Sequence, residues 1–436
     1  MVVLWTDALI YLLLIMLIGL SLYLSGKPQL KRPLQKIAAH KTGMLSLVFL
    51  LFFIAIGLLD SIHFKSNETS AKPIISLLDY WATPLRTQGE KTYSAPFSTH
   101  LFSKEMSILE DGSKVWRYPR LKYGGSHLQN PEKEKIGDIF THVMMGFLKT
   151  FVLLGVIVWW VRKKTRTIKF VGGLVFILMS ITSISIHLSG YYHILGTDKV
   201  GEDVFYQAIK SIRTGLVIGS LTTLIMLPLA IIFGIMAGFF RGWVDDLIQY
   251  VYTTLNSIPS VLLIAASILM VQVYMANHEQ DFTSLLIRAD MRLLFLCLIL
   301  GVTSWTGLCR LLRAETLKLR EMDYVQAAEA LGVKRGAILY RHILPNVMHI
   351  VLISVVLDFS ALVLAEAVLS YINIGVDPTT YSWGNMINGA RLEMAREPIV
   401  WWSLTASFVF MFSLVLSANL FADCVRDAFD PRRAEY

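Results

Sequence analysis

The residue types that carry chemistry are thinly spread in this chain, and their spacing rules out most catalysis. No GxxxxGK[ST] run supplies the glycine-framed cradle and lysine that a nucleotide phosphate needs. No Ser-His-Asp, HExxH or CxxC arrangement occurs, and no catalytic, cofactor-binding or metal-ligating residue is expected. His342 and His349 straddle Pro345 and read as interfacial polar residues rather than metal ligands. Two carboxyls do stand out, Asp358 and Glu366, inside the apolar run HIVLISVVLDFSALVLAEAVLSYI. A charge at mid-bilayer costs about 2.5–3.5 kcal/mol on insertion scales, so both should face protein or a water-filled cavity. For Asp358, a polar path lining and an interhelical hydrogen bond both stay open. Glu366 is a candidate for the same path and, being nearer the run's end, leans to the hydrogen-bonded, structural reading.

The elements that must hold these groups are membrane helices. Of 436 residues, 55% are hydrophobic and 17% charged, whereas a soluble domain carries about 25% charged residues. Repeated apolar runs near the length of about 20 residues needed to cross a bilayer indicate an all-α polytopic membrane protein. They lack the alternation of a barrel. The net charge of +8 therefore reads as topology, not nucleic-acid binding. Three cysteines, Cys297, Cys309 and Cys424, suggest no disulfide framework.

Expected spans are 8–24, 44–59, 142–161, 170–188, 216–240, 248–275, 293–312, 350–371 and 401–421, nine in total. The first has no Lys or Arg before it and Lys27, Lys31, Arg32, Lys36 and Lys41 after it, so it is read as retained, with its N-terminus outside. Residues 65–135 form a translocated segment too short and polar for a sizeable core of its own. RKKTRTIK anchors a cytoplasmic turn at 162–169, and Lys149 snorkels to the outer interface. The tail VRDAFDPRRAEY ends in the cytoplasm. Gly215 with Gly219, and Gly234 with Gly238, are small-residue pairs for close helix packing. Pro228 and Pro259 bend their helices, and Trp159, Trp160, Trp401 and Trp402 anchor the membrane interface.

One polar stretch between apolar runs does not look like a loop. In AETLKLREMDYVQAAEALGVKRGAILYRHILP (314–345), Tyr324, Ala327, Ala328 and Leu331 recur at the spacing of one apolar helix face. Gly332 comes next as a left-handed C-cap, a second short helix fits 334–344, and Pro345 opens the next helix. Two helices and a sharp turn held between membrane spans make a rigid knob for an outside partner to grip.

DYVQAAEALGVKRGAILYRHILPN resembles the EAA motif of ABC importer permeases. Ala327, Ala328, Gly332, Leu344 and Pro345 match it. Gln326 replaces the family's Glu, with Glu329 close enough to substitute, and His342 replaces an Ile. Three further segments are similar to the dipeptide/oligopeptide subfamily, C-type subunit: LGTDKVGEDV with Gly196, Thr197, Asp198, Gly201 and Asp203, then GVDPTTYSWGNMINGAR, then VRDAFDPR. Glu202 stands where that first segment usually has Arg. The resemblance covers 191 to the end and the span at 44–64. It leaves the N-terminal piece 1–43 and the hairpin 137–190 as additions to a core of about six spans, on either side of the outer segment 65–136.

The resemblance implies a subunit of a bacterial inner-membrane importer, multi-pass with a cytoplasmic C-terminus. Its partners would be membrane lipid, a second homologous permease, two ABC ATPases that bind ATP and Mg, and a periplasmic or lipid-anchored solute-binding protein. The chain itself would hold no cofactor, be no enzyme and bind no nucleic acid. A secondary transporter would show repeated halves, which are absent, and a helix-turn-helix tethered at both ends is restricted from docking in a DNA groove. The alternatives to a peptide importer are a secondary transporter and an importer of a non-peptide solute such as a nickel chelate. Replacing Gly332 by Asp would break the left-handed cap and should abolish ATP-driven uptake at normal membrane abundance; uptake retained in that variant would overturn the rigid knob. Asp358→Asn, also compared at normal membrane abundance, should lower uptake if the carboxyl lines a path, and unchanged uptake would exclude that role.

Overall fold

Helices dominate the chain because apolar runs in lipid must satisfy their backbone internally. The computed structural model describes residues 3–25, 35–65, 74–108, 114–161, 166–281 and 284–429. Lys27, Lys31 and Arg32, the first half of the 162–169 turn and the tail from 430 lie outside the described residues. So do the side chains of Trp159 and Trp160.

Among the described residues six helices are long and apolar enough to cross a membrane: Lys41–Ser61, Lys169–Leu188, Val204–Phe240, Ser260–Asn277, Arg335–Tyr371 and Trp402–Phe429. The count of nine is not confirmed: the expected spans 8–24 and 142–161 are helical but include side chains outside the described residues, and two other runs are divided. The run 248–275 is not one bent helix. It splits at Ile258 and Pro259 into Trp243–Ser257 and Ser260–Asn277, because proline removes a backbone donor and pushes its predecessor into extended backbone. The run 293–312 also divides, at Trp305, into Leu285–Ser304 and Thr306–Arg320. The first of these begins among Arg288, Asp290 and Arg292, which lowers its apolar character. Helices also cover 5–25 and 131–161. Pro228, by contrast, lies inside an unbroken helix.

The chain divides into two compact units, neither continuous in sequence. The first comprises residues 1–3, 44–214 and 381–414. Its long helices Pro131–Val161 and Arg166–Leu188 approach closely at Gly146, where a Cβ would sit 2.8 Å from the Ile184 backbone. Two small antiparallel strand pairs, His63–Lys65 with Ile74–Ser76 and Glu105–Ile108 with Lys114–Arg117, lie in or just before the segment expected to be too short and polar for a sizeable core of its own. That segment does bury Tyr93, Leu101, Leu121 and Leu128. It is ordered against residues 191–201 as well as within itself: Phe97 N–H donates to the His193 carbonyl, Gly125 to Tyr191, Thr197 to Ser94 and Glu90 to Gly201, while Leu101 donates to Pro119 and Leu121 to Thr99.

A buried histidine sits at the centre of this seam. His193 Nδ1 lies 2.7 Å from Asp203 and Nε2 lies 3.5 Å from Glu90, with the ring 3% exposed. Glu90 also accepts the backbone N–H groups of Lys122, Tyr123 and Gly124 at 2.8–3.2 Å. Burial works against the Glu90 charge, but His193 and these three donors outweigh it and hold the carboxyl at about 2. Burial likewise opposes the imidazolium, and Asp203 and then Glu90 overcome it, lifting His193 to about 9. Nearby, Lys210 is met by Asp60 and, at 2.9 Å, by Asp79.

The second unit comprises residues 4–43, 215–380 and 415–436, as far as these are described. One apolar cluster joins Val217, Leu221, Ile268, Leu296 and Leu300 to Leu362 and Leu369. Another joins Met226, Ala230 and Phe239 to Leu308, Leu312, Ile338 and Val347. The small residues do what close packing requires: a Cβ on Gly219 would strike the Phe359 ring at 2.4 Å. All three cysteines are buried and free.

Raised in the fold from its usual 6.5 to about 9, His193 stabilises fully below pH about 6.5, and that contribution is lost as pH rises through about 9. The detergent-purified protein should therefore lose up to about 3 kcal/mol between pH 6.5 and 10 that His193→Gln does not lose. Calorimetry or intrinsic fluorescence melts of the two proteins would measure the difference; parallel pH profiles would refute it.

Candidate functional site

The candidate site is the polar connection between the helices Leu285–Ser304 and Leu344–Tyr371, and it begins with a platform. The helix Thr306–Arg320 lies directly on Val204–Phe240 because two glycines clear the way. A Cβ on Gly234 would stand 2.8 Å from both the Cys309 carbonyl and Leu312 Cβ, and one on Gly238 would stand 2.6 Å from Thr316. Larger residues at either glycine would push the platform away. Arg313 then closes a two-pronged bond on Asp245 at 2.6 and 2.7 Å. This pairing holds the Asp245 carboxyl below its usual range, against a smaller opposing effect of burial. Arg320 donates to the Phe239 carbonyl at 2.7 Å with its guanidinium over the Phe239 ring, and Arg241 pairs with Glu321.

From this platform the chain turns at Glu321 and Met322 into the helix Asp323–Ala330. Its end matches the expected cap. Gly332 has φ +74°, its N–H donates to the Glu329 carbonyl at 3.0 Å, and Val333 N–H reaches back to Ala328 at 3.1 Å. No neighbour lies within 4 Å of where a Gly332 Cβ would be, so the left-handed backbone rather than space demands glycine.

The apolar face is divided differently from the sequence expectation. Val325 and Ala328 turn inward, into the cluster with Leu308, Cys309, Leu312 and Ile338. Tyr324, Ala327 and Leu331 are exposed, Leu331 at 83%. A small offset in phase changes the face, and Val325 is the residue that decides it. Tyr340, 72% exposed, adds a second uncovered apolar group in the connection. Gln326 and Glu329 are exposed, and Gln326 Nε2 donates weakly to the Glu321 carbonyl at 3.3 Å.

The second short helix is not separate. Arg335–Ile338 continues through a π turn, Leu339–Ile343, directly into Leu344–Tyr371. Leu344 N–H bonds to the Leu339 carbonyl five residues back, which makes room for Pro345 in the first turn of the membrane helix. Asn346 donates to the Tyr324 hydroxyl at 3.1 Å and to the His342 carbonyl at 2.6 Å, tying the far side of the knob to its base. Platform, short helix and membrane helix thus form one body. His342 and His349 join no group of potential metal ligands among the described residues.

Higher in the same membrane helix the two carboxyls differ. Glu366 is 1% exposed and accepts a 2.6 Å bond from Ser370 Oγ. Asp358 is half-buried, and no hydrogen bond or ion pair reaches its carboxyl among the described residues.

The segment LGTDKVGEDV proves to be a tightly folded turn in the first unit. Gly196 and Gly201 have φ +71° and +80°, and a Cβ at either would collide with backbone of Ser94 or Glu90. Asp198 accepts from the N–H groups of Val200 and Glu202, both at 2.9 Å. Thr197 binds the Thr92 carbonyl, and Asp203 accepts from Tyr206 N–H at 3.0 Å at the start of Val204–Phe240. Trp402 is 1% exposed and donates to the Thr197 carbonyl at 2.9 Å, so it is a core residue and not an interface anchor; Trp401 is exposed. Sequence reasoning missed Glu90, His193 and the Asp245–Arg313 pair, whose partners lie 32 or more residues apart except for His193 and Asp203.

Residues 230–435 match the family described as binding-protein-dependent transport system inner membrane component. The dipeptide transport system permease protein of Lactococcus lactis subsp. cremoris is 30% identical over 243 residues, 56% of this chain and 65% of the relative. The oligopeptide transport system permease protein of Mycobacterium bovis is 31% identical over 242 residues, 56% of this chain and 77% of the relative. The glutathione transport system permease protein of Pectobacterium atrosepticum is 29% identical over 240 residues, 55% and 73% of the two chains. With the capped knob, its leucine–proline exit and these relatives taken together, the chain belongs to the family of binding-protein-dependent transport system inner membrane components.

Proposed function

We propose that this chain is a permease subunit of an ATP-driven ABC importer for peptides, and that its knob couples a translocation path to separate ATPase subunits. The observation that carries the coupling is the uncovered apolar face of the knob. Leu331, Tyr324 and Tyr340 are exposed on a body that is otherwise locked to its membrane helices. Large apolar side chains exposed together on one short, rigid connection suit an interaction site. A groove on an ATPase that takes Leu331 and Ala327 would push the knob as the ATPases close on ATP and Mg. Arg313, Asp245, Gly234 and Gly238 would pass that push to Val204–Phe240. Gln326 cannot form the ion pair that a glutamate would, and exposed Glu329, one turn along, takes that role.

In this reading the knob and the C-terminus face the cytoplasm of a bacterial inner membrane. The motif segment with Gly196, Thr197, Asp198, Gly201 and Asp203 is periplasmic, the side of a periplasmic or lipid-anchored solute-binding protein. A second, homologous permease completes the path. Asp358, unpaired in mid-helix among the described residues, lines it, and Glu366 is held by Ser370 as a structural carboxyl. Peptide is the cargo favoured by the names of the dipeptide and oligopeptide relatives. Selectivity rests with the binding protein.

Leu331→Glu should leave folding intact, because the side chain is 83% exposed. It should weaken association with co-expressed ATPase subunits by about tenfold or more, the loss of one interface anchor worth about 2 kcal/mol. Co-purification from detergent and ATP-dependent peptide uptake in vesicles measure both effects. Unchanged association would remove the knob from the interface. Uptake of a nickel chelate but no peptide would reassign the cargo.

A further inference from the structure

The two helices Pro131–Val161 and Arg166–Leu188 lie outside the family match at 230–435, and the coupling site makes no use of them. At their end stands a cluster of metal-binding side chains. His127 comes from the loop before the first helix, Asp138 and His142 from its face one turn apart, and one donor atom of each lies within 4.8 Å of the others. His127 Nε2 is 2.8 Å from Asp138 Oδ2, and His142 Nε2 is 3.4 Å from Asp138 Oδ1.

We infer that His127, Asp138 and His142 form a binding site for one divalent d-block cation, with Zn²⁺ the best fit. A tetrahedral zinc ion with bonds of about 2.0–2.1 Å spaces its ligands about 3.3 Å apart, and each imidazole lies near that distance from one carboxylate oxygen, His127 at 2.8 Å from Oδ2 and His142 at 3.4 Å from Oδ1. Two imidazoles and one carboxylate select zinc and its d-block neighbours over the oxygen-seeking Ca²⁺ and Mg²⁺. His127 is exposed, which gives an ion access from water and leaves a fourth position for a water ligand.

The surroundings orient all three donors. The Tyr192 hydroxyl donates to Asp138 Oδ2 at 2.6 Å. The Tyr191 ring stacks on His142 with centroids 4.0 Å apart. His142 Nδ1 lies 3.3 Å from His187 Nε2, so with the cation on Nε2 the Nδ1–H donates across to the second helix. Lys149, expected to snorkel, lies 3.3 Å from the far nitrogen of His187. Cation binding would release any proton on the two ligating Nε2 atoms and replace the hydrogen bond of Asp138 to His127 and its contact with His142. One ion would then join the 125–130 loop to Pro131–Val161 and brace both against Tyr191 and Tyr192 in the segment after the second helix.

Full-length protein without a polyhistidine tag, purified in detergent and stripped with EDTA, should bind one Zn²⁺ per chain in equilibrium dialysis. With Co²⁺ it should give the visible bands of a four-coordinate N- and O-ligated ion. His127→Ala, at an exposed side chain, should weaken binding by more than about tenfold, with its EDTA-treated melting temperature unchanged. Asp138→Asn should do the same, whereas His349→Ala should bind as the parent does. Failure of the parent protein to bind either ion would overturn the site and leave a proton-shared ion pair. Undiminished binding in His127→Ala would overturn it equally. Either result would leave the coupling role of the knob untouched.

Discussion

The contact on which the rest depends is the seating of Thr306–Arg320 against Gly234 and Gly238. Two backbones come close enough there that a single methyl on either glycine would part them. In a membrane, where lipid is as apolar as any leucine, such close approach is what holds helices together. Arg313 and Asp245 add direction to it, since the fork of a guanidinium accepts only one orientation of a carboxylate. With the platform fixed, Val325 and Ala328 have a surface to bury against. The short helix could not stand without it, because eight residues are too few to be stable alone.

The other unit meets the same need by different means. Its turn at 196–203 is built on glycines that touch neighbouring backbone, on Asp198 turned in on its own loop, and on a histidinium enclosed by two carboxylates. The motif residues in that turn are spent on shape. A partner meeting this surface would read the shape they maintain, with Thr197 and Asp203 already committed inside.

Much of the knob was legible in the sequence because its signals are local. A glycine after an apolar period and a proline after a leucine specify backbone within four or five residues. Which face turns inward was not legible. Tyr324, Ala327, Ala328 and Leu331 satisfy helical spacing, yet only Ala328 is buried among them, because the platform meets the helix along Val325 instead. Span divisions at Ile258 and Trp305 were hidden for the opposite reason, since hydropathy runs on through a break that only the backbone feels. Trp402 looked like an interface anchor because a tryptophan beside a span end usually is one; the carbonyl of Thr197, some two hundred residues earlier, decides otherwise. The histidine–aspartate cluster was not read from the sequence: Asp138 and His142 stand one turn apart in an apolar helix, and His127 reaches Asp138 from a loop eleven residues earlier.

The π turn at 339–343 has a geometric consequence for everything above it. An α-helix advances about 100° per residue, so widening one turn by a residue resets the angular phase of the whole membrane helix relative to the knob. Asp358 points where it does because that phase was set fifteen or more residues earlier, at the exit of the knob. The membrane helix is thus keyed to the knob in rotation as well as in position. Any torque applied at Leu331 and Tyr340 would arrive at Asp358 as a turn of the same shaft.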